Sequence, residues 1–89
     1  MNKRRVIFEP DAKNEYEYWK SENTKIVERI RNLIGDIKKT PFKGIGKPEP
    51  LRYDLQGYWS RRINRIHRLV YNVTDTEIIV ISCMNHYEK

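Results

Sequence analysis

Cysteine and histidine are scarce in this chain, with one Cys83 and two histidines, His67 and His86, among 89 residues. A single cysteine excludes an internal disulfide. It lies in an apolar run, which reads as a buried, inert thiol. Two histidines and one cysteine without a close cluster do not make a usual zinc site, so no metal and no cofactor is expected. The glycine-containing string Lys43-Gly44-Ile45-Gly46-Lys47 lacks the spacing of a phosphate-cradling loop. A serine-centred nucleophile motif is missing too. Long apolar runs are absent: Ile78 to Ile81 is far too short to span a bilayer. The basic start Met1-Asn2-Lys3-Arg4-Arg5 is not followed by the apolar stretch of a signal peptide. The expectation is a soluble, cytoplasmic protein without a membrane partner, whose chemistry, if any, is done by acids, bases and cations.

Positive charge is what the chain has in excess. Lys and Arg number 18 against 12 acids, a formal net charge of +6, with a sequence pI near 9.6. Such a surface suits an anionic partner: nucleic acid, an acidic protein or a membrane surface. Charge alone does not choose among them, and a merely basic soluble surface fits equally well. The length allows one domain, residues 1–89, that buries roughly 60–65% of its unfolded surface in a thin core.

The pattern along the chain predicts β-α-α-β-β-β-β. Val6-Ile7-Phe8 is a short strand. Pro10 suits the first turn of a helix, and Asp11 its positive end. Ala12, Tyr16 and Trp19 recur at helical spacing, with an end near Ser21. Asn23 can cap a second helix. Its apolar stripe is Ile26, Ile30, Leu33 and Ile37, widened by Val27 and Ile34. Thr40-Pro41 stops it. Residues 41–50, with three prolines and two glycines, form an irregular loop. Strand-forming runs follow at Leu51 to Leu55, Tyr58 to Ile63, Arg68 to Val73 and Glu77 to Cys83, with turns at Gln56-Gly57 and Thr74-Asp75. The last run is apolar on both faces, as in a central strand. Two helices on one face of a mostly antiparallel, twisted sheet make an α+β domain. The pattern does not place the N-terminal strand in that sheet.

RNA can be cut without a metal when the ribose 2′-hydroxyl attacks the adjacent phosphate. The step needs a base, an acid for the leaving oxygen, and fixed positive charge beside the phosphorane. Glu49, His86 and Arg68 could supply these. Taken singly, each has a blander reading. Glu49 between two prolines reads as a solvated loop acid, His86 as a surface histidine, and Tyr87 as a partly buried aromatic. Arg61, Arg62, Arg65 and Arg68 read as the polar face of a hairpin, with Arg62 and Arg68 opposite Ile63 and Leu69. A two-histidine pair of His67 and His86 is a further alternative.

Longer strings carry more. Thr40-Pro41-Phe42-Lys43-Gly44-Ile45-Gly46-Lys47-Pro48-Glu49-Pro50-Leu51 resembles the central motif of the YoeB toxins, within the RelE/ParE toxin superfamily. So do Leu55-Gln56-Gly57-Tyr58-Trp59-Ser60-Arg61-Arg62-Ile63 and His67-Arg68-Leu69-Val70-Tyr71. Cys83-Met84-Asn85-His86-Tyr87 resembles the family's terminal His-Tyr signature. The resemblance covers nearly the whole chain and implies a RelE/ParE-like fold. It implies a toxin of a type II toxin–antitoxin system, an endoribonuclease that cuts messenger RNA in the ribosomal A site. By motif position, Glu49 would be the general base and His86 the general acid. Arg68 would stabilise phosphate charge, and Tyr87 would orient the substrate. Lys47, Arg52, Arg62 and His67 would hold RNA. The resemblance further implies a YefM-like antitoxin whose acidic C-terminal segment covers the basic site, the bacterial ribosome and mRNA as partners, and a toxin homodimer.

The chain departs from the family pattern in places. Glu88 and Lys89 follow the tyrosine at which members commonly end, and Asn85 stands where an aromatic residue is common. Tyr53 replaces a frequent histidine, and Arg52 a frequent lysine, which keeps charge but not hydrogen-bond geometry. Two other classes compete with the enzyme: a non-catalytic toxin on the same scaffold, like the ParE gyrase poisons, and a plain RNA- or DNA-binding module. The set Glu49, Arg68, His86 and Tyr87 fits the cleaving branch rather than the ParE-like one, and a plain binding module predicts salt-dependent binding without strand scission.

Overall fold

The computed structural model describes residues 4–85. His86 and Tyr87, expected at the site, and the Glu88-Lys89 extension lie outside the described residues.

Local chemistry explains both helices. Helix α1 spans Pro10–Glu22, with proline in its first turn and Asp11 at its positive end. One residue, Asn23, ends α1 and starts α2. Its backbone N–H donates to Trp19 O at 2.8 Å. Its side-chain oxygen accepts from the N–H groups of Lys25 (3.1 Å) and Ile26 (3.3 Å). Helix α2 spans Thr24–Lys39 and stops before Pro41, as expected. It buries Ile26, Val27, Ile30, Leu33 and Ile37.

The sheet has five strands: β1 (Arg5–Phe8), β2 (Glu49–Pro50), β3 (Trp59–Arg62), β4 (Arg68–Val73) and β5 (Glu77–Ser82). Their spatial order is β1-β5-β4-β3-β2. The N-terminal strand pairs parallel with β5, Val6 opposite Ile78, and every other pairing is antiparallel. Strand β5 therefore has a neighbour on each side, with Ile78, Val80 and Ser82 buried and Ile79 and Ile81 half-buried. Ile30, Leu33 and Ile37 of α2 pack with Leu69, Tyr71, Ile78, Val80, Ala12 and Cys83 in one fully buried cluster. Burial of this apolar surface is the main favourable term in folding.

One expected strand is different. Leu51 to Leu55 does not run along the sheet. Pairing with β3 is confined to Glu49 opposite Ser60 and Pro50 opposite Trp59. A 3-10 turn then occupies Tyr53–Leu55. Tyr53 has φ +60°, a left-handed conformation that no strand accommodates. Local bonds close the excursion, from Leu55 N–H to Arg52 O (3.1 Å) and from Leu51 N–H to Tyr58 O (2.9 Å). Gly57, with φ +98°, turns the chain into β3.

Candidate active site

Arg61 organises the site from behind, although the sequence pattern placed it on a polar face. It is 0% exposed. The physical reason is strand alternation: Arg61 shares a face with Trp59 and the buried Ile63, toward the helices. Burial of a guanidinium is tolerable only when its donors are satisfied, and here all five are. Nε donates to Tyr71 Oη at 3.1 Å. Nη1 donates to Asp36 Oδ2 (2.6 Å) and Ile45 O (3.1 Å). Nη2 donates to Thr40 O (2.7 Å) and Lys43 O (3.0 Å). Tyr71 in turn donates to Pro41 O at 2.8 Å. One side chain of β3 thus holds the irregular loop after α2 by its carbonyls.

Electrostatics follow from this contact. The Arg61 hydrogen bond, helped by the Ile45 N–H, holds the Asp36 carboxyl below the usual carboxylate range. Burial pushes the Tyr71 hydroxyl up, against the opposing pull of Arg61. Glycine is needed in the loop for space. A Cβ on Gly46, whose φ is +82°, would lie 2.7 Å from a Leu33 methyl, and one on Gly44 would collide with the Asp36 carboxylate.

The anchored loop delivers Lys47 and Glu49 to the sheet edge. Gly46 O accepts from the Arg62 N–H at 2.7 Å. Lys47 follows with φ +52°, a conformation costing roughly 1–2 kcal/mol for a side-chain-bearing residue and held by its surroundings. Glu49 pairs with Ser60. Arg62, two residues further along β3, pairs with Arg68 of β4. Residues two apart share a sheet face, so Glu49, Arg62 and Arg68 lie on the face away from the helices. Lys47, Glu49 and Arg62 are exposed. Arg29 of α2 braces this end of β3, donating to Ile63 O (3.2 Å) and Arg62 O (3.0 Å).

Arg68 is half-buried, and its Nε is fully buried with no acceptor among the described residues. A buried guanidinium N–H without a partner is uncommon and calls for an anionic one. The Arg68 N–H donates to Asn85 O at 2.8 Å. Asn85, the last described residue, therefore stands beside Arg68. Arg52 is exposed but sits beyond β2, at the start of the 3-10 turn, outside the strand pairing that gathers the others. His67 is half-buried, its ring edge-on to Trp19 at 4.8 Å between centroids. Burial pushes the Cys83 thiol up to about 12, with Glu15 adding to the shift. That places the thiol outside nucleophilic chemistry, as its apolar setting implied. Among the described residues no cluster of three metal-ligating side chains is found, and no helix is long and apolar enough to cross a membrane.

The sequence reading missed Arg61, Asp36 and Arg29. For Arg61 a signal existed, since Trp59, Arg61 and Ile63 alternate in phase. Nothing local marked Asp36 or Arg29.

Two helices on one face of a five-stranded, mostly antiparallel sheet make an α+β fold of the RelE/ParE type. The YoeB/ParE toxin from Agrobacterium tumefaciens superposes with a TM-score of 0.91 at 44% identity, over 93% of this chain and 99% of that one. Residues 8–87 match the model of the YoeB-like toxins of bacterial type II toxin–antitoxin systems, and the chain belongs to that family. Toxin YoeB of Streptomyces coelicolor is 47% identical over 83 residues, 93% of this chain and 99% of that protein. YoeB from Staphylococcus aureus has been solved as a dimer, with a TM-score of 0.90 at 44% identity over 94% of this chain and 98% of that one. Its complex with YefM gives a TM-score of 0.88 at 44% identity, over 96% and 99%. This protein is accordingly a toxin of a type II toxin–antitoxin system.

Proposed function

We propose that the chain is a ribosome-dependent endoribonuclease that cuts messenger RNA in the A site by side-chain acid–base catalysis and so halts translation in the cytoplasm. Glu49 takes the proton of the ribose 2′-hydroxyl, whose oxygen attacks the adjacent phosphorus. His86 protonates the departing 5′-oxygen, leaving a cyclic phosphate on one fragment and a 5′-hydroxyl on the other. Arg68 carries charge from the phosphorane oxygens, and Tyr87 orients the substrate. Lys47, Arg52 and Arg62 hold the RNA backbone. The single observation that carries this reading is the buried Arg68 Nε, without an acceptor among the described residues, on the same sheet face as Glu49. Arg68 thus brings an incompletely paired cation to the sheet face that also carries the Glu49 carboxylate.

The test is primer extension on one defined messenger RNA, with and without programmed bacterial ribosomes. A sharp cut within the A-site codon, present only with ribosomes, is the expected result. Glu49→Ala and His86→Ala each lower the rate by about 10²–10⁴-fold. No cut from folded protein in either tube replaces the reading with a non-catalytic toxin or a binding module.

The partner follows from the same cations. A YefM-like antitoxin lays an acidic C-terminal segment over Lys47, Arg62 and Arg68, in keeping with the YefM complex of the S. aureus relative. The dimer of that relative supports a second copy of the chain as a further partner.

A further inference from the structure

The backbone of Asn85 is held by two consecutive residues. Its carbonyl accepts from the Arg68 N–H at 2.8 Å. Its own N–H donates to His67 Nδ1 at 2.7 Å. Asn85 has φ +62°, in the left-handed region that asparagine enters more readily than most residues with a side chain. Its side chain is exposed, and both of these hydrogen bonds are made to its backbone. His67 is fixed in turn. Its N–H donates to Asn64 Oδ1 at 2.8 Å. Its carbonyl accepts from Ile63 (2.9 Å) and Asn64 (3.3 Å). Its ring meets Trp19, whose Nε1–H donates to Cys83 O at 2.9 Å, two residues before Asn85.

From this geometry we propose that His67 is a positioning residue: its Nδ1 lone pair locks the backbone of Asn85 and so sets the point from which the chain runs into His86. The inference rests on the cleavage reading above, in which His86 is the acid. A backbone amide can donate to Nδ1 only if that nitrogen carries no proton, so the ring is in the Nε2–H form. This differs from a direct RNA contact by His67, which would fall to Nε2. Loss of the lock frees the backbone at Asn85, one peptide before the proposed acid, and a misplacement on the ångström scale is enough to slow a proton transfer severely.

Two substitutions separate the nitrogens. The side-chain oxygen of asparagine can reach the place of Nδ1, and that of glutamine the place of Nε2. On programmed ribosomes, His67→Gln lowers kcat by about 10–100-fold with KM within about twofold. His67→Asn recovers about tenfold or more over His67→Gln. Recovery by glutamine rather than asparagine, or a loss that falls on KM alone, overturns the proposal. A second measurement needs no variant and no activity. In nitrogen-15-labelled wild-type protein at neutral pH, the His67 ring carries its proton on Nε2, and the Asn85 amide exchanges slowly. A proton on Nδ1, or an unprotected Asn85 amide, overturns the lock. Absence of cleavage by wild-type protein would instead strike the functional reading and leave the lock to be judged by these spectra.

Discussion

Arg61 Nη1 donates to Asp36 Oδ2 at 2.6 Å, between a residue with no exposed surface and a carboxylate that keeps a quarter of its side chain in water. The pair ties β3 to the last turn of α2, and the remaining Arg61 donors hold the loop that presents Lys47 and Glu49. Stability and site geometry thus share one side chain.

Removing that side chain strands the Asp36 charge and several loop carbonyls. Arg61→Ala is expected to lower unfolding free energy by roughly 2–4 kcal/mol, read by urea titration. Arg61→Lys recovers little, because an ammonium cannot reproduce the fork. An Arg61→Ala protein as stable as wild type would mean that the loop holds itself.

Asp36 makes part of this stability depend on pH. Its folded carboxyl is held below the ordinary value of 3.8, so on acidification the unfolded chain takes up the proton first. The contribution is complete above the ordinary value and disappears as pH falls through the lower, folded one. The stability gap between wild type and Asp36→Asn should be constant from neutral pH down to the carboxylate range and close below it. A gap that widens in acid would reverse the assigned direction.

Cys83 should be silent in the folded protein. It is fully buried, and its thiol is pushed up to about 12. A thiol reagent at pH 8 is expected to label the native protein at the rate of unfolding, and the urea-unfolded chain at once. Prompt labelling of native protein would contradict the packing of Cys83 against α1.

The acidic segment proposed for the antitoxin should feel Arg62 and Arg68 together. Affinity of such a peptide is expected to fall with salt. Arg62→Ala combined with Arg68→Ala should weaken it by about tenfold or more, a modest change for two charge-assisted contacts. Affinity unchanged in the double variant would remove this mode of inhibition.

Short-range signals made much of the chain legible. Pro10 opens α1, Asn23 caps α2, and Thr40-Pro41 ends it, because each acts on backbone groups within a few residues of itself. The strings around Glu49, Arg62, Arg68 and His86 pointed to the family before any geometry was known. Leu51 to Leu55 looked like a strand because its leucines and tyrosine have the composition of one. It turned instead at Tyr53, whose left-handed backbone no composition reveals.

By itself, then, the sequence determined the two helices, the strands β3 to β5, the cationic character and the kinship, all properties of neighbouring residues or of motif strings. Tertiary structure alone decided that β1 lies parallel to β5, since that pairing joins segments some seventy residues apart and has no local cause. It alone turned Arg61 from a surface charge into a buried anchor, because only packing of α2 and the loop onto β3 creates five acceptors around one guanidinium. It alone set His67 Nδ1 against Asn85, because a hydrogen bond across eighteen residues exists only once the sheet has brought both ends together.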